Sequence, residues 1–162
     1  MSWAHIHLAL NHVPIIGLPI ALLLLAWALY RGSSELTRAA LGLIVLLGLV
    51  TIVVQLTGEP AEELVEGLPG VLDSAVDRHE DAALVGTYGM TALALLALFG
   101  LWRYRTGPAL ERRLPAALLV GGVFLTGFFI WVANLGGQIR HTELAPQSGT
   151  IERSTMPDQS ER

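Results

Sequence analysis

Three imidazoles and a carboxylate stand at the ends of long apolar runs: His12, Glu59, His79 and His141. A neutral imidazole is a good ligand for haem iron, copper, iron or zinc. Each of the four sits in a polar interruption of otherwise greasy sequence: Asn11-His12-Val13-Pro14, Thr57-Gly58-Glu59-Pro60, Arg78-His79-Glu80-Asp81 and the stretch 133–141. A plain membrane anchor has no use for such residues, and ionisable groups within spans mark function by default.

Haem iron asks for axial imidazoles and a flat slot. Glycines near the histidines would supply the slot: Gly86 behind His79, and Gly136 and Gly137 behind His141. Arg78 and Arg140 are placed to meet haem propionates, and Asn134, with Gln55 and Tyr88, to line a propionate or quinone pocket. The chain has no cysteine, so a haem would be b-type, held without covalent links. His12 with His79 is the expected axial pair, and His141 the next candidate.

A second ligand set uses His5 and His7, a His-x-His that suits copper or zinc, with Glu59, His12, His79 and His141. Mixed histidine and carboxylate ligands across a four-helix bundle suit di-iron or zinc. His79 and Glu80 are adjacent, however, not spaced as the Glu-x-x-His of di-iron bundles. The plainer alternative is an interfacial layer of histidines that only packs and anchors, because polar residues near span ends are cheap.

The elements that position these residues follow from composition. The 162 residues are 52% hydrophobic and 15% charged, with mean hydropathy +0.55, far too apolar for a soluble domain of this size. Four runs, about 8–30, 37–57, 82–102 and 114–138, are long enough to cross a bilayer as helix. They are continuous rather than alternating, which argues against strands. The first run lacks a basic leader and is too long for a signal core, so it is expected to remain a span. The expected fold is all-α: an integral-membrane, up-down-up-down four-helix bundle over 1–144, with a polar tail at 145–162. Between the second and third spans, apolar residues from Leu64 to Val76 recur at helical spacing opposite acids, divided by Pro69-Gly70. This predicts two short amphipathic helices on the membrane surface or over the bundle end.

Alternation brings the starts of spans one and three and the ends of two and four to one side. The first link carries Arg31 and Arg38, and the third Arg103, Arg105, Arg112 and Arg113. The positive-inside rule then places both termini and the histidine end outside, in a periplasm if the membrane is the bacterial inner one. A basic nucleic-acid face, a phosphate-cradling glycine loop and a nucleophile paired with a base are all missing from the sequence.

The run His5-Ile6-His7 followed by Asn11-His12-Val13-Pro14-Ile15-Ile16-Gly17-Leu18-Pro19-Ile20-Ala21 resembles a bacterial family of four-span membrane proteins of unknown function. Those begin with a histidine-rich leader and a His-Phe-Pro-Ile-Ala-like opening, which Val13 and Gly17-Leu18 interrupt here. Some members are fused to c-type cytochrome domains, and the resemblance therefore implies an electron-transfer setting. The expectation is a cytochrome-b-like subunit that passes electrons between quinol and a periplasmic cytochrome, within the lipid bilayer and beside other membrane subunits. A copper, iron or zinc protein, or a cofactor-free assembly subunit, is the alternative.

Overall fold

Proline and glycine set where the helices start and stop. The structure is a computed structural model and describes residues 3–62, 71, 73–106 and 112–139. It contains α1 (Trp3–Leu10), α2 (His12–Arg31), α3 (Ser34–Glu62), α4 (Asp73–Thr106) and α5 (Arg113–Gln138), with no strand among the described residues. The expected polar tail lies outside them.

The break between α1 and α2 falls at Asn11. Pro14 has no N–H to offer the Leu10 carbonyl four residues back, and its ring crowds that carbonyl. The helical path nevertheless continues through Asn11, whose dihedrals are helical and whose N–H donates to His7 O (2.9 Å), so α1 and α2 form one span, both packed on α3. At the other end of α2 the backbone reverses within two residues. Gly32 takes a left-handed φ of 63°, its N–H turned to the last carbonyls of α2. Ser33 N donates to Ala28 O (3.0 Å), and Ser33 Oγ accepts from Leu36 N at the start of α3 (3.3 Å). A side chain at Gly32 would be strained, so Gly32→Ala is expected to cost about 1 kcal/mol, read as a lower unfolding midpoint in detergent.

Four helices, here including α1 with α2, are long and apolar enough to cross a membrane among the described residues. α2 packs on α3, α3 on α4, α4 on α5, and α5 back on α2, so the four form a ring with α2 and α4 on one diagonal. The order of contacts along the helices makes each neighbour antiparallel. Met90 and Ala94 meet Gly48, Phe129 meets Gly86, and Leu22 meets Gly122. Glycines at these crossings let the helices approach closely, the usual device of membrane bundles. The core is Leu18, Leu25, Leu41, Ile44, Met90 and Leu118, all fully buried. Outward faces are also apolar: Leu23, Leu56 and Phe124 are 71%, 71% and 75% exposed. Such a surface belongs in lipid rather than water.

The acidic stretch differs from the sequence expectation. Asp73 to Asp81 forms the first turns of α4, continuous with the span, rather than a separate surface helix. Nothing between Asp73 and Thr106 breaks the helical pattern, since neither proline nor a paired glycine intervenes. At about 1.5 Å per residue α4 runs roughly 51 Å, against about 30 Å of hydrocarbon, so its ends stand clear of the core. The other half of that stretch, 63–70, lies outside the described residues.

Candidate functional site

His7 and His12 are five residues apart on one helical path, about 140° around it, so they face different ways. α1 packs on α3, and His7 lies against the last turns of that helix. His7 Nδ1 lies 3.1 Å from Val54 O and 3.3 Å from Thr57 Oγ1. The Thr57 hydroxyl itself donates to Val54 O (2.9 Å). A carbonyl only accepts, so the His7 proton sits on Nδ1 and Nε2 keeps its lone pair. Gly58 has no side chain to obstruct the ring; a Cβ there would stand 3.5 Å from His7 Cε1.

His79 repeats the arrangement on the facing helices. From α4 its Nδ1–H donates to Val132 O of α5 at 3.1 Å. Its ring rests over Gly136, where a Cβ would come within 3.0 Å of Cε1. Tying Nδ1 to a main-chain carbonyl fixes tautomer and ring orientation, as it does for histidines that ligate metals. Neither His7 nor His79 makes a hydrogen bond through Nε2 among the described residues. Two imidazoles, His7 on α1 and His79 on α4, are each held by a neighbouring helix's backbone at the same end of the bundle.

The other expected site residues are placed differently. His12 is exposed and its Nδ1–H donates to Leu8 O of the preceding turn at 3.1 Å. It is not held by a neighbouring helix as His7 and His79 are. His5, Glu59, Arg78, Asn134 and Gly137 are exposed too. Arg78 Nε donates to Ser74 O within its own helix, and Asn134 Oδ1 accepts from Gln138 Nε2 (2.7 Å). Among the described residues no group of three or more histidines or acids is gathered for a metal ion. His141 and Arg140 lie outside the described residues.

The glycines do not form the flat slot expected of them. Phe129 occupies the space at Gly86, where a Cβ would lie 2.8 Å from its Cε1, with Phe128 beside it. Gly136 makes room for the His79 imidazole, and Gly137 faces open space. At Gly86 and Gly136 the space expected for a flat slot is taken by protein side chains, Phe129 and His79. Of the proposed quinone-pocket residues, Tyr88 is 67% exposed, while Gln55 Oε1 accepts from Thr87 Oγ1 of α4 (3.0 Å).

Two supporting groups carry no sequence signal of their own. Val54 and Val132 act only through carbonyls, which every residue has. The signal that would have found His7 is its register: five residues from His12, it stands about 140° around the same helix.

No protein-family model, curated protein or solved structure matches the chain.

Proposed function

We propose that the chain is a membrane redox subunit that holds a haem b through the Nε2 atoms of His7 and His79. The observation that carries this is the paired Nδ1 anchoring, to Val54 O and Val132 O, which leaves two Nε2 lone pairs at one end of the bundle. The donor set suits haem: a porphyrin supplies four equatorial nitrogens, so the protein need offer only two axial imidazoles. When bound, the iron would supply one-electron chemistry. The chain's own contribution is to set the tautomer, hold both rings against rotation and surround them with apolar helix surface, which tunes the potential.

Filling of the Gly86 space by Phe129 favours a second reading in which the same two imidazoles hold a single small ion, copper foremost. Imidazole suits copper and zinc as well as iron, and an ion needs no slot.

In either case the setting is the bacterial inner membrane. The arginines of the two short links face the cytoplasm and the histidine end faces the periplasm. Electrons would pass between quinol in the bilayer and a periplasmic partner, within a larger membrane complex.

Visible spectra of the purified chain, oxidised and reduced, together with elemental analysis, separate the readings. A Soret band with a reduced α band supports haem b; stoichiometric copper without a Soret band supports the ion. Neither signal, even after supplementation with haemin and with copper, ends both.

A further inference from the structure

At the end of the bundle opposite the histidines, the link between α2 and α3 and the start of α5 enclose a cleft of about 150 Å³. It would hold roughly five waters at about 30 Å³ each, too little for a quinone but enough for a tetrahedral anion. Its polar lining comes from Arg112, Tyr104, Ser33, Ser34 and Thr37. No carboxylate lines it among the described residues. Arg38 stands beside it, its guanidinium carbon 6.0 Å above the Tyr104 ring.

The lining is therefore rich in donors and poor in competing negative charge. Arg112 offers a planar fork that matches phosphate oxygens. Tyr104 and Ser34 offer hydroxyls. Ser33 Oγ already accepts from Leu36 N (3.3 Å), which leaves its own proton to donate. Thr37 donates to Ser33 O (2.8 Å) and so closes the floor rather than offering a proton. Glu35, next to Ser34 in sequence, is exposed and does not line the cleft; Glu111, next to Arg112 in sequence, lies outside the described residues.

Position supplies the rest of the argument. The cleft lies where the apolar stretches end, flanked by Trp27, Tyr30 and Trp102, which are all more than half exposed. Aromatics of this kind settle at headgroup depth. Ala28 and Pro115, both buried, form its apolar wall with Leu29. We infer that this cleft is a binding site for a phosphate oxyanion, carried either by the headgroup of an anionic phospholipid or by free phosphate. The site is independent of the histidine end and of whatever that end binds.

The test uses the full chain, delipidated in detergent, with its unfolding midpoint followed as ligand is added and its bound ligand counted by native mass spectrometry. Phosphatidylglycerol is expected to raise the midpoint and remain bound, whereas zwitterionic phosphatidylcholine does neither. If inorganic phosphate does the same and competes with phosphatidylglycerol, the free anion is the ligand; if it has no effect, the lipid headgroup is. Arg112→Gln should weaken binding about tenfold, the scale of one hydrogen bond between charged groups. Tyr104→Phe should weaken it less and serves if Arg112→Gln loses helicity. Arg103→Gln, at the same end but outside the cleft, should bind as the parent does. The inference is overturned if no phosphate-bearing probe binds, or if Arg103→Gln weakens binding as much as Arg112→Gln.

Discussion

His79→Ala is expected to remove the cofactor signal altogether. Loss of a hydrogen-bond partner behind a ligand already costs about 10- to 100-fold in metal affinity, and loss of the ligand itself should exceed that. The purified variant would show neither Soret band nor stoichiometric metal, while keeping its helicity and its elution volume in detergent. His7→Ala, which removes the other of the two proposed ligands, is expected to do the same. His12→Ala should change neither spectrum nor metal content, because that ring is exposed and already bonded to Leu8 O. This ordering distinguishes the structural pair from the pair expected on topology alone. A folded His79→Ala protein with the parent's spectrum would sink the proposal. A graded check comes from Gly136→Ala. Its methyl would stand 3.0 Å from His79 Cε1 and push the ring by a few tenths of an ångström, so binding should fall without vanishing.

The largest stability effect is expected at Gly48, where α3 and α4 cross. A Cβ there meets the Ala94 Cβ, and that carbon is fixed to its backbone with no rotamer to change. The only relief is to move two helices apart, along the interface that also carries the Thr87 to Gln55 hydrogen bond. Gly48→Ala should therefore cost roughly 3 kcal/mol, the upper part of the range for overpacked cores. Thermal unfolding in detergent should show it as a drop of about 6–12 °C in the midpoint. Gly122→Ala gives the contrast. Its Cβ also comes very close to a neighbour, but that neighbour is the Leu22 side-chain end, which can rotate away. The cost there should be nearer 1 kcal/mol. Gly42→Ala, with nothing within 4 Å, should leave the midpoint where it is. Equal losses at all three positions would mean that the crossing at Gly48 is not as close as described.

The amino-acid sequence alone determined that four helices of this chain are apolar enough to cross a bilayer, because helix length and continuous hydropathy are local properties. It also determined which residues share an end of the bundle. Links too short for anything but reversal make neighbours antiparallel, and the Gly32–Ser33 turn is the plainest instance. The glycines near the histidines were recognisable as gaps. What fills them was not, because that depends on the rotation of each helix about its axis, and many rotations satisfy the same hydropathy. So Phe129 rather than open space lies on Gly86, and the His79 ring lies on Gly136. Which histidine faces a neighbouring helix was decided at the same level. The path through α1 and α2 is helical at Asn11, and its rotation about its own axis comes from packing on α3. That rotation gives His7 the Val54 carbonyl as its anchor, and it leaves His12, the more conspicuous histidine in the sequence, exposed.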